Sequence, residues 1–177
     1  PLSTWSTAND LHSDQITDIA RVGNQLFFAS IDAGIGRYDV QGDLWKAAWD
    51  ASDWLLSDRV AGLEVYGDEL FILGVSDVQI YSVATGSFST STSLASLTLG
   101  GDGRNTVLWP SGGSRAPIDS TILITDGSGR LAKLVPGSTP LHQGMLTIGS
   151  GPSSENMIAI TEIGTRVYLA SEFAIDV

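Results

Sequence analysis

The sequence predicts an all-β fold built from repeated antiparallel sheets, and three observations carry this prediction. Short runs of β-branched and aromatic residues are bounded by Gly, Asn, Asp and Ser turn signals. The same pattern of runs and turns returns along the chain, as in repeat proteins. Sustained helical periodicity is missing: residues 45–56 could mimic one amphipathic turn, but their place in the repeat assigns them to strand and loop.

The repeat emerges when the chain is shifted against itself by 44 residues. The matched positions are Trp5 with Trp49, Leu11 with Leu55, Ser13 with Ser57, Asp14 with Asp58, Leu26 with Leu70 and Phe27 with Phe71. A shift of 97 residues extends the pattern by placing Leu63 on Ile160 and Leu70 on Val167. Four copies of roughly 40 to 50 residues therefore tile the chain, which predicts a β-propeller of about four blades.

Each copy is expected to form a four-stranded antiparallel meander, whose strands we name a to d in chain order. In copies one and two, strand a begins at Ile16 and Val60, strand b covers 26–30 and 70–74, strand c covers 35–38 and 78–81, and strand d carries Trp45 and Phe88. Period-two alternation and Gly-containing turns support these assignments.

These strands set the expected blade boundaries at about residues 12–48, 55–92, 93–144, and 145–177 together with 1–7. Residues 99–117 are longer and richer in Gly than their counterparts, which indicates an insertion in the third copy. Residues 1–5 have the register of a strand d and are expected to complete the last blade, because closure removes an exposed sheet edge. The alternative is a slice of a longer array.

Several stretches carry a family resemblance, namely 11–16 (LHSDQI), 34–39 (GIGRYD), 55–60 (LLSDRV) and 78–81 (VQIY). They resemble the repeats of the two-component-regulator propeller family, closely in copies one and two, partly in copy four and poorly in copy three. The resemblance implies a β-propeller scaffold of the kind found in sensor ectodomains and large secreted proteins. It implies no shared set of catalytic residues.

Composition excludes several classes of function. Nine Lys and Arg against twenty Asp and Glu give a net charge of −11, which argues against nucleic-acid and anionic-membrane partners. No apolar run reaches the roughly twenty residues of a membrane-spanning helix. The absence of cysteine excludes disulfides and thiolate chemistry. A charged fraction of 16% with 20 Gly favours an extracellular or cell-surface β protein.

Strand direction predicts which loops meet. In an antiparallel meander the b–c and d–a loops lie at the same end of the sheet, and loops on a rigid scaffold concentrate binding residues. The predicted binding residues on this rim are Asp10, His12, Asp14, Asp32, Asp53, Trp54, Asp58, Asp77, Asp126 and Phe173. Trp54 is the favoured aromatic because its counterpart in copy one is Asp10, whereas Trp5, Trp45 and Trp49 are expected to pack between blades.

Some of these carboxylates also have a purely structural interpretation. Asp14 and Asp58 follow a serine, and each is expected to accept a hydrogen bond from the backbone amide two residues on. Asp32 and Asp77 lie in turns, where the same kind of bond is common.

The sequence contains no recognisable motif of catalytic or cofactor-binding residues. EF-hand spacing, a phosphate-binding loop and a nucleophile elbow are all missing, so no cofactor is predicted, although Ca²⁺ on the rim oxygens is chemically feasible. The sequence therefore predicts a non-catalytic binding module of a larger secreted, surface or sensor protein, with a protein or glycan ligand. The alternatives are a glycosidase or lyase that uses rim carboxylates about 5 to 9.5 Å apart, and a structural subunit of an assembly.

Overall fold

A computed structural model describes residues 4–8, 10–93, 103–109, 121–126, 131–136, 142–146, 157–163, 166–171 and 175–176. Every regular element among these residues is a β-strand. The described part of the chain contains no helix, and hence none that could cross a bilayer.

The strands form four antiparallel sheets, each with its strands in chain order. Sheet one contains β1 (Ile16–Val22), β2 (Gln25–Ser30), β3 (Ile35–Asp39) and β4 (Leu44–Trp49). Sheet two contains β5 (Val60–Tyr66), β6 (Glu69–Gly74), β7 (Asp77–Ser82) and β8 (Ser87–Ser93). Sheet three contains β9 (Gly103–Trp109), β10 (Thr121–Asp126), β11 (Leu131–Leu134) and β12 (His142–Leu146). Sheet four contains β13 (Met157–Ile163), β14 (Arg166–Ser171) and β15 (Ile175–Asp176).

Sheets one and two have the four strands that the repeat predicts, and the local sequence explains their turns. Val22 pairs with Gln25, so strands a and b of sheet one are joined by a two-residue hairpin. Gly23 occupies its first position with φ +57°, a conformation that favours glycine. The same hairpin recurs in sheet two, where Gly67 has φ +59°.

Strand a carries the same irregularity in all four sheets. Its first residue pairs with the last residue of strand b, and the next residue is skipped as a β-bulge. The four pairs are Ile16 with Ser30, Val60 with Gly74, Gly103 with Asp126 and Met157 with Ser171. A bulge at one fixed position identifies the sheets as copies of one structural unit.

The position of the insertion in the third copy needs a correction. Residues 103–109, within the stretch expected to be inserted, form strand a of sheet three. Strand b begins nine residues after the start of strand a in sheets one, two and four, but eighteen residues after it in sheet three. The extra length therefore lies between Trp109 and Thr121, in a connection outside the described residues.

Sheet four has three strands within the described residues. An N-terminal strand was expected to complete sheet four. The first residues of that expected strand, 1–3, lie outside the described residues. Residues 4–6 are described and belong to no strand.

The chain divides into two compact units, Pro1–Gly74 with Gln79–Thr90, and Val75–Val78 with Ser91–Val177. In the first unit, side chains from sheets one and two form one apolar core, in which Phe27, Ile35 and Leu70 are fully buried. In the second unit, Ile122 and Leu134 are fully buried and face each other across the β10–β11 pair.

The same aromatic contact occurs at sheet one and at sheet two. In both cases a tryptophan packs on the tyrosine of strand c and on the aromatic residue of strand d in the sheet that follows in the chain. The contacts are Trp5 with Tyr38 (5.0 Å) and Trp45 (5.4 Å), and Trp49 with Tyr81 (4.4 Å) and Phe88 (5.0 Å), measured between ring centroids. Because Trp49 also stacks on Phe27 of sheet one at 5.6 Å, its predicted packing role between two sheets is confirmed.

Candidate functional site

Each serine of the two Ser-Asp pairs closes a tight turn before strand a. Ser13 Oγ accepts a hydrogen bond from the Gln15 amide at 2.9 Å, and Ser57 Oγ accepts one from the Arg59 amide at 3.1 Å. The bond to the amide two residues on was predicted for the following aspartate. That prediction was wrong: among the described residues it is the serine, one position before the aspartate, that accepts a bond from the amide two residues after itself in both copies.

Each aspartate instead binds the backbone at the start of the loop that it ends. Asp14 Oδ1 accepts from the Thr7 amide at 2.8 Å, and Asp58 Oδ1 accepts from the Ala51 amide at 2.6 Å. The hydroxyl of Thr7 adds a bond of 2.6 Å to Asp14 Oδ2, and these two bonds hold the pKa of Asp14 below its usual value. Each carboxylate therefore binds the backbone seven positions earlier and ties the start of the loop to its end.

Asp32 joins the b–c turn of sheet one to the loop before strand a. Its two carboxylate oxygens accept from Ser13 Oγ at 2.6 Å and from Gln15 Nε2 at 2.8 Å. These bonds place the two loops at the same end of the sheet, as strand direction predicts. The Asp32 carboxylate, although exposed, is thus already engaged by two donors of its own chain.

His12 packs beneath the same turn. Its ring is half-buried, and Nε2 lies 3.4 Å from the Gly34 carbonyl oxygen. A Cβ atom at Gly36 would overlap the His12 ring, so the histidine lies directly against this glycine. Burial lowers the pKa of His12, partly opposed by the Gly34 carbonyl and by Asp32.

The remaining predicted rim residues are not brought together by the described structure. Asp10 and Asp53 are exposed in separate turns, and Asp10 adopts φ +76°. Asp126 ends β10, but its side chain lies outside what the structure describes, as does Phe173 altogether. Within the described residues, no group of three or more His, Asp or Glu side chains could hold a metal ion, so the rim offers no support for the Ca²⁺ option.

Asp77 differs from the other rim carboxylates because it is buried, with 8% of its surface exposed. Ser76 Oγ lies 3.3 Å from Asp77 Oδ2 and donates to it. Burial raises the pKa of Asp77, and the serine bond opposes the rise only in part. The carboxylate is therefore not presented on the surface, and its ionisation disfavours the folded state.

Asp77→Asn is expected to raise the free energy of unfolding near pH 7 and to leave it unchanged near pH 3. Because the folded pKa lies above the ordinary value, the wild type loses stability as the pH rises from the ordinary pKa through the raised one. Below both values the carboxyl is protonated in both states. Urea unfolding at several pH values measures the difference, with Asp53→Asn as an exposed control. Equal or lower stability of Asp77→Asn at neutral pH would contradict the expectation.

A pocket of about 360 Å³ lies where strands c and d of sheets one and two approach each other in the first unit. Its lining residues are Arg37, Trp49, Trp54, Tyr81, Gly86, Ser87 and Phe88. Four of the seven are aromatic, and we call this site the aromatic pocket. Such a lining with few polar groups is typical of binding sites in proteins.

Trp54 forms one wall at the mouth of the aromatic pocket. Its ring lies parallel to that of Phe88, with an interplanar angle of 7° and 6.2 Å between centroids, and 62% of the residue is exposed. The loop beneath it is fixed by Gln79, whose Nε2 donates to the Trp54 carbonyl oxygen (3.2 Å) and whose Oε1 accepts from the Leu56 amide (2.8 Å). The exposed ring is therefore carried on a backbone held from both sides.

Arg37 contributes the charge of the aromatic pocket. Its guanidinium carbon lies 4.2 Å from the centroid of the Trp49 ring, a cation–π contact. The group is half-buried, and the desolvation lowers the pKa of Arg37 from its usual value while leaving it a cation, with Tyr81 acting in the opposite direction. Its hydrogen bond to the Ala47 carbonyl oxygen is long, at 3.4 Å.

Arg37 has no carboxylate partner among the residues that the structure describes. The ion pair formed there is between Lys46 and Asp39, at 3.0 Å. In addition, Nε of Arg37 is buried without a hydrogen-bond partner. The aromatic pocket thus holds a partly desolvated positive charge that this part of the chain does not neutralise.

Of the predicted binding residues, Trp54 lines the aromatic pocket, whereas Arg37, Tyr81 and Phe88 were not predicted as site residues. The repeat alignment contains a signal for Arg37, because the matching position of copy two is the buried Ile80. A charged residue at a position that is aliphatic in the other copy marks a place where one copy differs in role. Trp54, which aligns with Asp10, is a second such position.

No protein-family model and no curated protein matches the chain. Solved structures do. The crystal structure of the computationally designed Ika4 protein is 14% identical, with a TM-score of 0.63 over 94% of this chain and 92% of that one. U3-55K is 12% identical, with a TM-score of 0.66 over 89% of this chain and 46% of that one. BamB from Moraxella catarrhalis is 14% identical, with a TM-score of 0.56 over 89% and 40%.

The chain thus spans less than half the length of U3-55K and of BamB, and nearly all of the Ika4 protein. At these identities the likeness establishes the fold. Together with the four meander sheets, it confirms the predicted all-β propeller.

Proposed function

We propose that the chain is a non-catalytic binding module whose aromatic pocket receives a side chain of a protein partner. The pocket itself carries this proposal: four aromatic rings surround about 360 Å³, and Trp54, on a fixed loop, is 62% exposed. A rigidly held, exposed tryptophan beside a cavity is typical of the residues that contribute most to protein–protein binding.

A protein partner fits the surroundings of the pocket better than a glycan. Leu56, on the same loop as Trp54, is 57% exposed, so the apolar surface continues beyond the cavity. The polar side chains in the lining are those of Arg37, Tyr81 and Ser87, few for the many hydroxyl groups of a sugar ring. β8 is the outer strand of its sheet, and residues 87–93 contain no charge and no proline to discourage pairing with an added strand.

The glycosidase or lyase alternative gains no support at this site. Such enzymes act through two carboxyl groups that face the substrate. The lining of the aromatic pocket contains neither Asp nor Glu. On the described rim, Asp14, Asp32 and Asp58 accept hydrogen bonds from their own chain instead.

The setting we propose is a larger secreted, surface or sensor protein with two-component-regulator-type repeats. The recurring Ser-Asp corners, at Ser13-Asp14 and Ser57-Asp58, support the repeat type. The cysteine-free composition of low charge is compatible with that location. Fractionation of the native full-length protein tests it, and recovery from the cytosol alone would contradict it.

Selection from a displayed random-peptide library, alongside a glycan array, tests the proposed function. We expect enriched peptides whose affinity falls about thirtyfold with Trp54→Ala, the loss typical of a central interface tryptophan. Ile19→Ala is the matched control, because Ile19 is 57% exposed but lies on β1, outside the aromatic pocket. This variant should bind the peptides unchanged.

Two results would overturn the proposal in different ways. Glycans bound in a Trp54-dependent manner, without enriched peptides, would replace the protein partner by a carbohydrate. Peptides that bind both variants as tightly as the wild type would remove the aromatic pocket from the binding surface.

A further inference from the structure

We infer that the aromatic pocket selects partner groups in which a carboxylate stands next to an aromatic ring, with Arg37 as the anion-binding residue. This inference rests on the proposed function, since it assigns the charge and shape of what the aromatic pocket binds. It is carried by a cation that has no counter-ion among the described residues and that lies in a pocket with two parallel rings.

The described residues do not neutralise the positive charge of Arg37. The Arg37 guanidinium is half-buried against Trp49 at 4.2 Å, and its bond to the Ala47 carbonyl oxygen is long at 3.4 Å. Within the described ranges no carboxylate pairs with it. A partly desolvated charge is stabilised by an opposite charge that forms hydrogen bonds to it, and a guanidinium offers a carboxylate two parallel N–H donors.

The charge of Arg37 disfavours cationic ligands. Pockets walled by Trp, Tyr and Phe commonly bind ammonium groups through the negative faces of the rings. Here the face of Trp49 is already covered by the Arg37 guanidinium. A second cation in a cavity of about 360 Å³ would be repelled at short range by the first. The charge of Arg37 thus reverses the selectivity that the rings alone would give.

The rings and the volume of the aromatic pocket determine the shape of the ligand. Trp54 and Phe88 lie parallel within 7° at the mouth, and the exposed Trp54 ring offers a flat face on which an aromatic ring can stack. A volume of about 360 Å³ is at the lower end of the range for small-ligand sites, enough for one aromatic side chain with an adjacent carboxylate. The matching protein segment has an aromatic residue at its C-terminus or beside an acidic residue.

The probes that test this share a phenyl ring and differ in charge, and the acid and the amide differ from each other only in the carboxyl group. N-acetylphenylalanine carries the carboxylate, its carboxamide is neutral, and phenethylamine is the cation. Binding is followed by titrating each probe into the ¹⁵N-labelled chain and recording the indole N–H signals of Trp49 and Trp54. We expect the acid to bind with a Kd on the order of millimolar, as befits so small a ligand, and at least about tenfold more tightly than the amide or the amine.

Variants assign the selectivity to Arg37. Arg37→Gln should lower the affinity for the acid to that for the amide and leave the affinity for the amide unchanged. Arg37→Lys should retain part of the preference for the acid, because lysine keeps the positive charge but lacks the two parallel N–H donors of the guanidinium. Trp54→Ala should weaken the acid and the amide by the same factor. Should Arg37→Gln fail to fold, as judged by its amide spectrum, Arg37→Lys and the probe series on the wild type still decide.

Each contrary result has a distinct meaning. An amide or amine that binds as tightly as the acid overturns the charge selectivity and leaves the aromatic pocket as a binding site. An equal loss of acid and amide affinity in Arg37→Gln overturns the role of Arg37. Indole signals that move with none of the probes overturn the inference, and the peptide selection then decides separately whether the proposed function stands.

Discussion

Trp49→Ala is expected to lower the free energy of unfolding by about 3–5 kcal/mol, the range for removing a buried large aromatic side chain. Trp49 is 5% exposed, and its ring contacts Phe27 of sheet one and Tyr81 and Phe88 of sheet two. Alanine would leave a cavity where two sheets meet and would remove the ring beneath the Arg37 guanidinium. Urea unfolding followed by circular dichroism measures the change.

The same substitution at Trp54 is the matched control. Trp54 is 62% exposed and contacts Phe88 from the solvent side, so Trp54→Ala should cost less than about 1 kcal/mol. Similar losses in the two variants would show that the contact of Trp49 with both sheets is not what stabilises the first unit.

Gly34→Ala is expected to destabilise the chain by at least about 3 kcal/mol. Gly34 has φ +77°, and a Cβ atom there would overlap the backbone carbonyl oxygen of Trp49, which cannot rotate away as a side chain could. Its amide also donates to the Asp58 carbonyl oxygen at 2.8 Å, so the backbone cannot retreat without losing this bond.

Gly23→Ala separates backbone conformation from close approach. Gly23 also has a positive φ, of +57°, but no heavy atom beyond its two chain neighbours lies within 4 Å of a Cβ built on it. This variant should therefore cost only the conformational strain of about 1–2 kcal/mol. The excess loss in Gly34→Ala measures the close approach to Trp49, and an equal loss in the two variants would refute it. Thermal or urea unfolding of both variants side by side gives the comparison.

The strands of sheets one and two were predictable because their signals are local. A two-residue Gly hairpin, period-two alternation and a shared spacing act within a few residues of the chain, and β1 to β8 begin and end close to the predicted positions. The inserted residues of copy three were predicted to begin at residue 99, whereas they follow β9. The Gly-rich composition of residues 99–117 does not distinguish a strand with glycine at its start from an inserted loop.

The candidate site was less accessible, because it depends on contacts between distant residues. Arg37 reaches the aromatic pocket because it packs on Trp49, at the end of the next strand, and the other rings come from sheet two. The partners of Asp14 and Asp58 lie seven residues back along the chain, beyond the reach of a turn motif. Asp77 was predicted to be exposed from its turn signal, whereas it begins β7 and is buried.

The skipped residue near the start of every strand a has a consequence for engineering. The added residue shifts the pairing of all that follows it in strand a by one position relative to strand b, since Ile16 pairs with Ser30 but Asp18 pairs with Ala29. A segment transplanted from one sheet to another keeps its partners on strand b only if this residue travels with it. The unit of exchange among the four sheets is therefore the whole strand.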